Sequence, residues 1–242
     1  PYGYHHLTVA VQGRLLESMV VSAPTRAYSP FEASSKGVWG AFLPLYALHS
    51  KRSWGSGDFS DLGTLIEWVS SLGGSFVATL PFLASYLDKP CDPSPYTPVS
   101  RLLWNGFFID VTKVPEMVIC TEARAMLETS EFKQELEAVR DLRLVDYRRQ
   151  MALKRRVLER LARCVPMQAG NRQDAFQEFL KENESVRDYA RFQAACELRG
   201  ETWPAWPERL RDGILQEGDY GREAEHYHEY VQWVADEQLQ SL

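Results

Sequence analysis

Residues 38–80 read VWGAFLPLYALHSKRSWGSGDFSDLGTLIEWVSSLGGSFVATL, and the rhythm of this stretch decides the fold. Val38-Trp39-Gly40-Ala41-Phe42-Leu43 is a short apolar run of the kind buried on both faces of a sheet. A loop rich in Ser and Gly follows over residues 49–57. A helix is predicted to start near Asp58 or Ser60, because Leu62, Leu65, Ile66, Val69 and Leu72 recur at helical spacing and Gly73-Gly74 supplies a stop. Phe76-Val77-Ala78-Thr79-Leu80 is a second apolar strand, ended by Pro81. Strand, helix and strand, with both strands apolar, make a βαβ unit. That implies an α/β fold with a parallel sheet covered by helices.

Working outward, residues 7–11 alternate, Gln12-Gly13-Arg14 is a turn, and residues 18–22 form a second short strand. Pro24, Pro30 and the run Ser34-Ser35-Lys36-Gly37 then mark a boundary. On the other side, residues 84–110 carry Pro90, Pro93, Pro95 and Pro98 and read as a long loop, which in a compact domain is usually functional. Beyond it the pattern is helical over residues 121–136, 147–164, 174–180, 186–198 and 225–239, with no third strand after residue 112. Two parallel strands do not make a sheet, so the unit needs partners.

With 242 residues, 45% hydrophobic and 25% charged, the chain is neither collagen-like nor low-complexity nor wholly disordered. Its 27 Lys+Arg against 33 Asp+Glu leave a net charge of −6, which disfavours nucleic acid as a partner. The basic run around Arg148, Arg149, Lys154, Arg155 and Arg156 shares a helix with the stripe Leu153, Val157, Leu158 and Leu161, and reads as a solvated cationic face. No run approaches the about 18–20 apolar residues of a membrane span, so no membrane partner is expected. PYGYHH is unlike a signal peptide, and a chain opening on proline is not expected to start its gene product.

Cys91, Cys120, Cys164 and Cys196 are widely spread with no CxxC pair, which predicts free thiols in a reducing cytosol and no zinc site. His226 and His228 lie two apart, on different sides of a helix, and suit no shared metal. Gly55-Ser56-Gly57-Asp58 lacks the Lys-Ser/Thr of a phosphate loop, and no GxSxG surrounds any serine. No cofactor and no metal are expected.

The informative residues follow the two strands, where an α/β barrel places its active site. Tyr46, His49, Ser50, Trp54 and Asp58 occupy the first such loop; Ser94, Pro95, Tyr96, Arg101, Trp104 and Asn105 occupy the second. Aromatics with polar groups and few charges suit a neutral polyhydroxylated ligand. The plainer alternative is that Trp54, Trp104 and Phe107 are core.

Residues 40–62, GAFLPLYALHSKRSWGSGDFSDL, resemble the first barrel strand and helix of the amylomaltase family of 4-α-glucanotransferases. Residues 92–110, DPSPYTPVSRLLWNGFFID, resemble that family's DPSPYSPxSRxxxNPxxID segment more closely still. The likeness continues through Val145-Asp146-Tyr147 and Lys154, Asp188 to Phe192, Trp203 to Pro207, and Tyr230-Val231-Gln232-Trp233. Gly3-Tyr4-His5 and residues 23–28 look like the end of a β-rich extension in a bacterial subgroup. Departures are His49 for arginine, Ser56 for isoleucine and Gly106 for proline; Cys91 stands where some members have a tyrosine of a secondary glucan site.

The resemblance implies the N-terminal part of a (β/α)8 TIM-type barrel with a large helical insertion, preceded by a few strands. Its expected parts are the end of the extension over 1–35, the first βαβ with substrate loops over 36–112, and a helical subdomain over 113–242. It further implies a cytoplasmic enzyme moving α-1,4-glucan segments between maltooligosaccharides through a covalent intermediate. The family's catalytic carboxylates follow a GDxPIFV segment that lies beyond Leu242, so no catalytic residue is carried over. Tyr96 matches the tyrosine that stacks on the sugar beside the cleaved bond, and Ser94 a neighbouring polar contact. The chain by itself is expected to be inactive, and its unpaired barrel strands to associate or leave apolar surface open. From a different class, a non-catalytic α-glucan-binding or regulatory module, or a helical interaction domain with no sugar site, would share these residues.

Overall fold

The computed structural model describes residues 1–27, 29, 37–87, 91–165 and 170–242, and divides into two compact units, Pro1–Trp39 and Gly40–Leu242. The boundary expected at residues 35–36, and Pro90 of the long loop, lie outside the described residues.

The first unit is an antiparallel hairpin of β1 (Gly3–Val11) and β2 (Arg14–Ser22), in register from Gly3↔Ser22 to Val11↔Arg14. Both strands are longer than the alternation predicts. Gln12 and Gly13 have φ of 47° and 77°, so a two-residue turn of matching twist lets pairing begin at once. A two-stranded hairpin has no second layer of its own.

In the second unit β3 (Gly40–Phe42) and β4 (Phe76–Ala78) pair in parallel, Ala41 opposite Val77, with α1 (Phe59–Ser71) as the crossover. The predicted βαβ unit is present. Asp58 caps α1: its carboxylate accepts from the Asp61 N–H at 3.0 Å, while the Asp61 carboxylate accepts from the Asp58 N–H at 3.2 Å. Gly73, at φ 81°, ends the helix turn. Within the long loop, β5 (Tyr86–Leu87) and β6 (Cys91–Asp92) pair antiparallel, each too short to leave an alternation in the sequence.

The remainder is helical: α2 (Thr121–Glu128), α3 (Ser130–Arg140), α4 (Tyr147–Cys164), α5 (Asn171–Glu182), α6 (Glu184–Arg199), the single turn α7 (Glu208–Arg211) and α8 (Arg222–Gln240). No strand follows residue 112 among the described residues. Residues 121–136 were expected as one helix, but Thr129 interrupts them because its hydroxyl accepts from the Phe132 N–H and starts a new one. The α4 stripe of Leu153, Val157, Leu158 and Leu161 and the α8 residues Tyr227, Tyr230 and Val234 form one core with Phe107, Ile109 and Phe132. Buried Glu116 helps tie it together, accepting from Arg172 Nε at 2.8 Å and the Tyr230 hydroxyl at 2.9 Å.

Two expectations are corrected. Cys120 and Cys164 are joined as a disulfide with Cα atoms 5.9 Å apart, leaving Cys91 and Cys196 as free thiols. Their sequence separation of 44 hides the pairing, which arises because the start of α2 packs against the end of α4. Lys154 does not belong to the cationic face; it points inward at 2% exposure. Its neighbours on that helix are ion-paired, Arg155 to Glu159 and Glu197 and Arg156 to Glu135. His228 Nε2 sits 2.7 Å from Glu197 Oε1 and His226 Nε2 lies 3.0 Å from the Ala162 carbonyl.

Candidate functional site

The loop after β4 starts from a stem. Segment 82–84 runs beside 99–105: Val99 N–H donates to the Ala84 carbonyl, Ala84 N–H to Leu103, and Asn105 N–H to Phe82, at 2.7–2.9 Å. At its tip, residues 92–97 form a turn organised by Asp92, whose carboxylate accepts from the Ser94 N–H at 3.1 Å and the Thr97 hydroxyl at 2.7 Å. The Ser94 hydroxyl accepts from the Tyr96 N–H at 3.3 Å. This short-range bonding sets the backbone and turns Tyr96 outward, 71% exposed. An exposed tyrosine ring on a fixed turn offers a flat apolar face with a polar rim.

The loop after β3 does something else. Arg52 binds three buried carboxylates: Asp58 at 3.0 Å, Asp61 at 2.5 Å and Asp110 at 2.6 Å. The Ser50 hydroxyl donates to Asp61 and the Ser60 hydroxyl to Asp110. Burial pushes the Asp58 carboxyl above its ordinary range against the pull of Arg52 and Lys154. Lys154, beneath this cluster, donates to the carbonyls of Phe107 (2.5 Å) and Ile109 (2.8 Å). Burial lowers its pKa to about 8, opposed by Asp58, Asp110 and Asp61. The cluster locks loop to helix start.

The expected lining residues therefore separate. Trp54 is core, edge-on to Phe132, and Phe107 is wholly buried, as the plainer alternative has it. Asp58 is a helix cap, and buried Asn105 caps the turn at 106–108 through the Phe107 N–H. Trp104 is half-buried, its indole N–H donated to Asp236 at 3.1 Å. His49, Tyr96 and Arg101 are exposed; Tyr46, Ser94 and Pro95 are half-buried. Tyr147 links the two loops: it packs edge-on to Tyr46 at 6.0 Å and, with Cys91, lines an open groove of about 520 Å3 under residues 142–148. Gly106 fits its place because an added Cβ would lie 2.5 Å from Val231 Cγ1.

Sequence reasoning missed Arg52, Asp61, Asp110 and Gln232. Only Gln232 left a signal of its own, as an amide amid the apolar run Val231, Trp233 and Val234. Among the described residues no group of three or more His, Cys, Asp or Glu is placed to hold a metal ion, and no helix is long and apolar enough to cross a membrane.

The family described as 4-alpha-glucanotransferase matches residues 43–242. The 4-alpha-glucanotransferase of Mycobacterium tuberculosis is 32% identical over 254 residues, covering 100% of this chain and 34% of that protein. Among solved structures, the amylomaltase of Corynebacterium glutamicum superposes with a TM-score of 0.74 at 24% identity, over 100% of this chain and 33% of that one. The Streptococcus agalactiae amylomaltase, solved in complex with acarbose, gives 0.63 at 21% identity, over 85% of this chain and 40% of that one. The chain thus spans about a third of the length of the curated relative. Since the family match takes in α1, β4, the Tyr96 loop and every helix after them, the chain belongs to the 4-alpha-glucanotransferase family.

Proposed function

We propose that this chain is the N-terminal part of a 4-α-glucanotransferase and contributes its first sugar-binding loops. In this reading residues 36–112 are the first βαβ of a (β/α)8 barrel, 113–242 a helical subdomain inserted before the third strand, and 1–35 the end of a β-rich extension. The enzyme works in the cytoplasm on maltooligosaccharides or other α-1,4-glucans. Its retaining chemistry uses two carboxyl groups about 5–5.5 Å apart, a nucleophile and an acid/base. Both stand on later strands, outside these 242 residues. The single observation that carries the reading is Tyr96, presented on a turn ordered by Asp92 and Ser94 at the C-terminal side of a parallel strand. The acarbose complex of the Streptococcus agalactiae amylomaltase supports an α-glucan as its ligand.

Two measurements test this. In the full-length enzyme, Tyr96→Ala lowers kcat for maltotriose on the order of tenfold, about 1.4 kcal/mol, and more than it raises KM. Stacking beside the cleaved bond tightens as the ring flattens towards the transition state. An unchanged kcat with a higher KM makes Tyr96 a plain binding residue. The 242-residue chain incubated alone with maltotriose releases no glucose and forms no longer oligosaccharides. Redistribution that Tyr96→Ala abolishes would place catalytic groups within the chain.

A further inference from the structure

We propose that Gln232 is a positioning residue for Tyr96, acting through the stem of the loop; the inference rests on the glucan reading of Tyr96. Within the stem, Leu103 and Asn105 bond to segment 82–84, and Leu83 stands opposite Trp104. Trp104 directs its own N–H and carbonyl to the other side. There the Gln232 side-chain amide takes both, accepting from Trp104 N–H at 2.8 Å and donating to the Trp104 carbonyl at 2.8 Å. A carboxamide that offers one acceptor and one donor to the same residue stands in for a third strand. Asp236, one turn further along α8, accepts the Trp104 indole N–H.

Gln232 is 2% exposed on a stripe where an apolar side chain would pack without needing partners. What the amide adds is the clamp. Tyr96 inherits its orientation from the backbone, because the bonds of Asp92 and Ser94 are internal to the turn. The stem is where that turn is fastened to the helical body, eight residues from Tyr96.

The test compares maltotriose disproportionation and thermal stability of the full-length enzyme for Gln232→Met, Tyr96→Ala, their double variant and Gln238→Met. Gln238 clamps Asp110 in the same two-bond way, at 2.9 Å each, away from the stem, and controls for loss of a clamp as such. Gln232→Met is expected to lower kcat roughly tenfold with KM within about twofold, the signature of a misplaced contact. In the Tyr96→Ala background the further loss falls below about twofold. Gln238→Met loses a similar amount of thermal stability with kcat held within about twofold.

The inference is overturned if Gln232→Met leaves kcat intact, multiplies fully with Tyr96→Ala, or is matched by Gln238→Met. Should Gln232→Met fail to fold, Gln232→Glu keeps the acceptor for the Trp104 N–H, loses the donor and carries the same comparison. If Tyr96→Ala slows turnover and the Gln232 variants do not, the positioning role alone fails. If Tyr96→Ala itself leaves kcat unchanged, Tyr96 is no contact of the transition state and the positioning role falls with that role, whatever KM does.

Discussion

Arg52→Met lowers the unfolding free energy by about 3 kcal/mol at pH 7, the low end for removing one partner of a buried ion cluster. Asp58, Asp61 and Asp110 keep only 3–5% of their side-chain surface exposed, and Arg52 bonds to all three. Its own side chain is 35% exposed, and solvent screening holds the loss to that low end. Without the guanidinium, Asp58, whose carboxyl burial already pushes upward, loses the hydrogen-bonded partner that opposes that push, and its protonation becomes easier. The deficit therefore shrinks as pH falls towards 5, because the variant takes up a proton at Asp58 more readily than the wild type does. Urea unfolding at pH 7 and pH 5 reads both effects. Arg52→Lys keeps the charge but not the planar fork and should fall between. A loss below about 1 kcal/mol, or one independent of pH, would mean the cluster is already hydrated and the argument fails.

Lys154→Met produces a loss of comparable size whose pH dependence lies in the alkaline range instead. Two buried carbonyls, those of Phe107 and Ile109, lose charge-assisted bonds worth about 1.5–3 kcal/mol each in favourable cases. In the wild type the ammonium titrates at about 8 when folded, against an ordinary 10.5. Between those values the unfolded chain holds a proton that the folded one has released, so wild-type stability rises with pH across that window. The rise is up to about 3 kcal/mol, from roughly 1.4 kcal/mol per pKa unit. Below pH 8 this group contributes no slope. The methionine variant lacks the rise, so the gap between the two proteins widens from pH 8 to pH 10. Parallel stability curves over that range would show that Lys154 stays fully charged in the fold.

Much of this architecture is legible in the sequence, for reasons that differ by element. Strands β3 and β4 announce themselves as apolar runs without polar alternation, although Phe42 and Phe76 stand exposed, and α1 because a capping aspartate and a double glycine bracket its stripe. The whole of α4 is read correctly from Tyr147 to Cys164, since its apolar stripe runs unbroken. Lys154 was misassigned although it lies three, four and seven residues before Val157, Leu158 and Leu161, on the stripe itself; charge outweighed position. The Arg52–Asp110 bond and the Cys120–Cys164 pair join residues distant in sequence, and spacing carries no trace of either. In the site, the turn at 92–97 is local and readable, whereas the stem depends on α8.

That dependence sets an order of events during synthesis. Trp104 and Asp110 are each clamped by a glutamine 128 residues further along the chain. At about 5–20 residues per second, a ribosome needs roughly 6–25 s to supply those side chains. Until then the backbone at 104 and 110 has only the partners nearer in sequence, and the loop bearing Tyr96 is born before it can be held. Closing so long a span is entropically slow, which places the loop bearing Tyr96 among the last parts of the unit to become rigid, although it is among the first to be made.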